Sequence, residues 1–145
     1  MPEAATRIVR RATKPTPAIL AADICVVGDG IAGISAALEA PRLGRRVVIV
    51  DAAPSLGGQA VGSIIGTIIG LYTHGPQPYQ ITHGIADKLI ADLTAEGSLS
   101  RRVSMTGTIT FQYDEVRLAR WMERKVEEAG VRALVGAVLT DVCFD

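Results

Sequence analysis

Asp23-Ile24-Cys25-Val26-Val27-Gly28-Asp29-Gly30-Ile31-Ala32-Gly33 decides the fold of this chain of 145 residues. Residues 23–27 are a short apolar run with the length of a buried strand, and they enter a G-x-G-x-x-G turn directly. A helical stretch follows to about Ala40, and a second strand over residues 46–50 closes on Asp51. The pattern predicts a βαβ unit over residues 22–51, with a parallel sheet flanked by helices. Each glycine has a physical task. Gly28 permits the tight turn, Gly30 lets the backbone approach a pyrophosphate, and Gly33 lets the helix pack close to the sheet. The free N–H groups of Ile31 and Ala32 point toward an anion at the helix start. Asp51 stands 23 residues beyond Gly28, a distance suited to a carboxylate that holds an adenosine ribose. Glycine turns are common, so the specificity lies in the context: strand before, helix after, small residues at Ala37 and Gly44, and an acid closing the second strand.

Moving outward from that unit, the chain is long enough for one domain with its own core. It is 48% hydrophobic and 21% charged, which suits a globular domain. Fifteen basic residues balance fifteen acidic ones, so no net field draws it to nucleic acid or anionic lipid. Residues 1–21, with Pro2, Pro15 and Pro17, read as a flexible lead-in, and residues 22–145 as the nucleotide-binding domain. Arg10-Arg11 is followed by no apolar stretch of the length an export signal needs, and a cytoplasmic location is expected. Cys25 and Cys143 lie in apolar runs without metal-ligand spacing and read as buried thiols.

Gly58, Gly62, Gly66 and Gly70 recur every four residues, a spacing known from membrane helix pairs. The run is too short and too glycine-broken to span a bilayer, which takes about 20 apolar residues. A backbone passing close to a large flat ligand is the preferred reading, with a packing surface as the other. Residues 79–96 are expected to be helical, since Ile81, Ile85, Leu89 and Leu93 share one face. Residues 103–111 suggest an extended segment. Asp114 caps a helix to about Ala129, with Trp121 in the core and Gly130 as its stop. Residues 131–134 and 138–144 read as strands.

Taken together, these residues resemble the extended fingerprint of Rossmann-type FAD-dependent oxidoreductases. The run from Asp23 to Gly33 carries the resemblance, with Ala37, Gly44, Val47 and the acid at Asp51. Leu56-Gly57-Gly58-Gln59-Ala60 is similar to the glycine pair that such flavoproteins place after the ribose-binding acid. Residues 113–142 look like the helix and strand where the chain returns to the FAD domain. The resemblance implies FAD as cofactor, with Gly28, Gly30, Ile31 and Ala32 on the pyrophosphate and Asp51 on the ribose. It also implies Gly58 and Gln59 beside the pyrophosphate or ribityl chain, and the backbone around Leu139 at the adenine edge. Three positions depart from the pattern, and one of them, Pro41, removes an N–H donor, so the first helix should end or kink around Ala40. Asp29 stands where the family usually has a small neutral residue, and a charge there opposes a pyrophosphate unless it points away or is paired. Asp51 stands where glutamate is common, and aspartate also suits NAD.

Members of that group are longer, with a substrate domain that nothing here resembles. The expectation is therefore an incomplete catalytic unit acting on a small organic substrate and completed by another polypeptide. Catalytic residues are not assigned. Tyr72 and His74 follow the glycine-rich run toward the ligand, but His74 and His83 lack a constellation around them. An NAD(P)-binding domain and a non-catalytic nucleotide-binding assembly subunit stay open as alternatives. The glycine pair at Gly57-Gly58 favours the longer, flavin-bearing ligand.

Overall fold

The structure, a computed structural model, describes residues 20–143. The predicted lead-in therefore lies outside the described residues except for Leu20 and Ala21. The chain runs β1 (Ile24–Val27), α1 (Ile31–Glu39), β2 (Val47–Val50), α2 (Gly58–Gly62), β3 (Thr67–Ile69), α3 (Ile85–Ala95), β4 (Leu99–Val103), β5 (Ile109–Tyr113), α4 (Glu115–Glu128) and β6 (Arg132–Leu134).

Two sheets result. The first is parallel in the order β1-β2-β6, with Ile24 opposite Val47 and Val48 opposite Arg132. Helices α1 and α4 pack against it and against each other. The second is antiparallel in the order β3-β5-β4. The β4–β5 hairpin replaces the single extended segment expected over residues 103–111. Its turn closes where Ser104 N donates to the Thr108 carbonyl and Gly107 N to that of Ser104.

β2 is Val-Val-Ile-Val and is buried over its first three residues, as a run of β-branched side chains in a central parallel strand should be. Pro41 has no N–H to continue an α-helix, so α1 ends at Glu39 and passes into a 3-10 turn over Ala40–Leu43. Asp23 then staples β1 to the start of β2. Its carboxylate accepts from the Arg46 amide at 2.8 Å and pairs with the Arg46 guanidinium at 2.9 Å. Those contacts hold its pKa down at about 2.

The core is built from Ile34 and Leu38 of α1, Ile49 of β2, Leu89 and Leu93 of α3, Phe111 of β5, and Leu118, Trp121, Met122 and Val126 of α4. Burying each such side chain contributes roughly 1.5–3 kcal/mol. The helix predicted from Asp114 is present as drawn. The Asp114 carboxylate accepts from Arg117 N at 2.9 Å, and the chain leaves the helix through Gly130 at φ +67°. Asp114→Ala should lower stability by about 1 kcal/mol, read as a shift in denaturant midpoint at unchanged slope.

Three expectations are corrected. The helix expected over residues 79–96 begins only at Ile85, because Ile81 donates to the Leu71 carbonyl at 2.8 Å and Gly84 adopts φ +75°. No strand forms over residues 138–143: Val138, Leu139 and Val142 are exposed and pair with no strand among the described residues. Cys25 and Cys143 are both exposed free thiols, Cys25 because β1 lies at the sheet edge. Among the described residues, no helix is long and apolar enough to cross a membrane.

Candidate functional site

The β1–α1 turn is the organising point. Gly28 takes φ +102°, a backbone shape that glycine alone adopts at low cost, and it donates to the Val50 carbonyl at 2.9 Å. Gly30 is the N-cap of α1 in an extended conformation, and no side chain caps the helix. The first-turn N–H groups of Ile31, Ala32 and Gly33 therefore lack the intrahelical acceptors that later residues have. They sit at the positive end of the helix dipole. Above Gly28 and Gly30 the space is open, since a Cβ on either would meet no heavy atom within 4 Å. Gly33 differs. A Cβ there would fall onto the Gly28 carbonyl, 2.9 Å from its carbon, so only glycine lets α1 lie this close to the turn.

Asp51 at the end of β2 ties this turn down. One carboxylate oxygen accepts from Asp29 N at 2.9 Å and the other from Ala53 N at 2.6 Å. These amide bonds, Ala53 first, hold its carboxyl below the usual carboxylate range despite partial burial. The group is thus an anion with lone pairs to spare.

The Gly57-Gly58 loop closes over the other side. Gly57 N donates to the Asp29 carbonyl at 3.2 Å, and a Cβ on Gly58 would stand 3.0 Å from the Gly30 Cα. The short helix α2 carries Gln59 and is fixed from below by β5, where the Tyr113 hydroxyl donates to the Ala60 carbonyl at 2.7 Å. Burial, and then the Glu115 charge, push the Tyr113 phenol up, so it stays a donor. After β6 the chain runs back along the Asp51 loop, with Ala137 N on the Asp51 carbonyl at 2.9 Å and Gly136 N on that of Ala53 at 2.7 Å.

Gly28, Gly30, Ile31, Ala32, Gly33, Asp51 and Gly58 thus come together at one end of the parallel sheet, with Gln59 following on α2. Leu139 lies two residues past the segment that touches Asp51, with its side chain half exposed. The glycine ladder is not one surface. Gly58 meets Gly30 and Gly66 meets Glu115 and the Tyr113 carbonyl, whereas Gly62 and Gly70 face open space.

Sequence reasoning missed two parts of the site. The amide of Ala53 and the return of Gly136 and Ala137 onto the Asp51 loop are backbone contacts, for which the side chains carry no signal. The second is an apolar groove of about 430 Å³ beside α1, lined by Ile31, Ile34, Ile68, Leu71, Leu89 and Trp121, with His83 at its edge. Those residues come from four separate stretches of chain, so no local spacing announces the groove. Tyr72 and His74 are taken up elsewhere, Tyr72 donating to Gln80 at 2.9 Å and His74 lying 2.9 Å from the Thr108 hydroxyl.

Comparison with known proteins bears on what such a site holds. A family model described as FAD dependent oxidoreductase matches residues 23–145. Carotenoid phi-ring synthase of Chlorobaculum tepidum is 54% identical over 37 residues, which are 26% of this chain and 6% of that protein. Among solved structures, the THI4 protein of Thermovibrio ammonificans aligns with a TM-score of 0.51 at 20% identity, over 83% of this chain and 43% of its own. The Diels-Alderase PyrE3, from the biosynthetic pathway of pyrroindomycins, aligns with a TM-score of 0.55 at 14% identity, over 83% of this chain and 26% of its own. At such identities the shared feature is the fold. The chain spans less than half the length of each of these proteins.

Proposed function

Because this chain belongs to the FAD dependent oxidoreductase family, we propose that it forms the FAD-binding portion of an enzyme that oxidises a small organic substrate. Further polypeptide supplies the substrate side. One observation carries the reading. The glycine turn leaves open space over Gly28 and Gly30, points acceptor-free N–H groups into it, and is bonded through Asp29 N to the carboxylate of Asp51.

That arrangement suits a dinucleotide. The first-turn amides of α1, around Ile31 and Ala32, receive the pyrophosphate without a cation to neutralise it. Asp51 is already ionised and oriented by two amides, so it accepts from a ribose hydroxyl without further ordering. Gly58 and Gln59 extend the same wall toward the flavin end, and the backbone near Leu139 lies on the adenine side. FAD, when bound, supplies hydride acceptance, and the protein contributes orientation, electrostatics and the exclusion of water.

A strand left uncovered among the described residues supports the need for further polypeptide. β1 ends the parallel sheet, and Ile24 and Val27 are exposed on it. An apolar parallel edge of this kind is normally covered. Whether the covering segment continues this chain or belongs to another subunit, the proposal is the same for the site. Two exposed free thiols suit a reducing compartment, which supports a cytoplasmic location.

The test is the visible spectrum of the chain after reconstitution with FAD and removal of free flavin. A retained flavin spectrum at about one FAD per chain is the expected result. A folded, colourless protein that instead binds NAD would overturn the assignment.

A further inference from the structure

We propose that Asp29 is held protonated beneath the glycine turn, beside the ionised Asp51, and that dinucleotide binding is coupled to keeping that proton. The inference rests on the reading that the turn binds a dinucleotide.

Asp29 is fully buried, at 0% exposure, and it is the sole charged side chain in the buried set among the described residues. It is fixed from three directions. Its N–H donates to Asp51 at 2.9 Å, its carbonyl accepts from Gly57 N at 3.2 Å, and its carboxyl oxygen lies against Gly58, 3.8 Å from where a Cβ would stand. It cannot turn out to water without dismantling the contact between the two glycine loops.

Neither carboxyl oxygen of Asp29 has a hydrogen-bond partner. A buried carboxylate in that condition is costly, and the system relieves the cost by protonation. The neighbouring Asp51 makes the choice of proton holder clear. Its own oxygens are engaged by Asp29 N and Ala53 N, which stabilise its charge, whereas Asp29 has only the amides of Gly58 and Gly57 facing it, short of a completed bond. Burial and then the Asp51 charge accordingly push the Asp29 carboxyl up, while Asp51 is held low. The two titrate as a coupled pair, with Asp29 carrying the proton.

Among the described residues, the surrounding elements offer no cation to change this. The first turn of α1 has no acidic residue, and α2 is Gly-Gln-Ala-Val-Gly. From α4, Met122 reaches this loop, its sulfur 3.2 Å from where a Cβ on Gly57 would stand. Asp51 is the one side-chain charge that bears on Asp29.

A pyrophosphate at the start of α1 brings more negative charge to the same place. It disfavours ionised Asp29 further, so the bound state keeps the proton more firmly than the free state. Affinity is therefore highest at low pH, within the range where Asp51 stays ionised. It falls as pH rises through the titration of Asp29, by up to about tenfold per pH unit for one proton. Asp29 is a positioning residue whose charge state sets cofactor affinity.

The experiment measures FAD affinity by flavin fluorescence from about pH 5 to about pH 9 in the wild-type chain and in Asp29→Asn, with proton uptake read by calorimetry in buffers of different ionisation enthalpy. Wild type should bind at least about tenfold more tightly at the acid end and take up protons with FAD over the range where affinity falls. Asp29→Asn keeps the shape, loses the charge, and should bind with no such slope and at least as tightly as wild type at the alkaline end. Asp29→Ala is the second variant and should lose the slope as well, whatever its absolute affinity. Parallel slopes in wild type and variants overturn the inference that Asp29 holds the proton while leaving FAD binding intact. No FAD binding by wild type at any pH overturns the functional reading itself, and this inference with it.

Discussion

Gly33→Ala should abolish FAD binding, lowering affinity by more than about 100-fold, and should destabilise the chain by roughly 1–3 kcal/mol, the usual range for overpacking. The added methyl group has nowhere to go. It would sit on the Gly28 carbonyl, 2.9 Å from its carbon and 3.3 Å from a methyl of Val26. Backbone must move, because the obstruction is a carbonyl in a turn and not the far end of a flexible side chain. The least costly motion lifts the start of α1 away from β1. That motion carries Gly30, Ile31 and Ala32 with it and displaces the N–H groups that face the open space. Loss of binding thus follows from geometry even where the domain still folds.

A second glycine supplies the control. Gly62 ends α2 with an ordinary negative φ, and a Cβ there meets nothing within 4 Å. Gly62→Ala should leave FAD affinity within about twofold and change stability by no more than about 1 kcal/mol, in the stabilising direction. The pair is read by FAD titration and urea unfolding. Equal behaviour of the two variants would show that close packing at Gly33 is not what shapes the turn.

Why the βαβ unit was legible in the sequence, and other parts were not, comes down to where each contact originates. The strand, the turn and the helix are neighbours along the chain, and the demands on Gly28 and Gly33 arise from residues within a few positions of them. The same holds for α4, where Asp114 caps its own helix and Leu118, Trp121 and Val126 follow helical spacing. Residues 79–84 misled because Ile81 has the right spacing for a helix but is claimed by the Leu71 carbonyl. Residues 138–143 have a strand's composition, yet a strand is a property of a pair, and no partner lies beside them among the described residues. Cys25 sits in an apolar run that reads as buried on both faces, and only the sheet order shows that β1 lies at the edge. Asp29 shows the limit most clearly. The sequence marks it as an unusual charge in a glycine turn, whereas its full burial depends on the Gly57-Gly58 loop closing from almost thirty residues away.

Trp121→Ala is the substitution expected to cost most in stability, about 3–5 kcal/mol, since it empties a buried aromatic site in the middle of the core. Trp121 is 1% exposed and stands where α4 meets α1 and α3, with one side on the apolar groove. It also carries a polar link. Its indole N–H donates to Asp92 of α3 at 2.9 Å, and Asp92 in turn pairs with Lys125 of α4 at 3.2 Å. Removing the ring therefore opens a cavity and takes from Asp92 its best donor.

Trp121→Phe separates the two effects. Most of the ring volume remains, and the lost hydrogen bond to a charged acceptor should cost roughly 1.5–3 kcal/mol at neutral pH. The indole, ahead of Lys125, holds the Asp92 carboxyl below the usual carboxylate range. That contribution is present above the ordinary carboxylate pKa and is lost as pH falls through the depressed value in the folded protein. The gap between wild type and Trp121→Phe should accordingly narrow in acid, whereas the cavity in Trp121→Ala costs nearly the same at both ends. Urea unfolding at neutral and acid pH reads both quantities. A Phe variant whose deficit is unchanged in acid would mean that the ring, and not its bond to Asp92, joins α3 to α4.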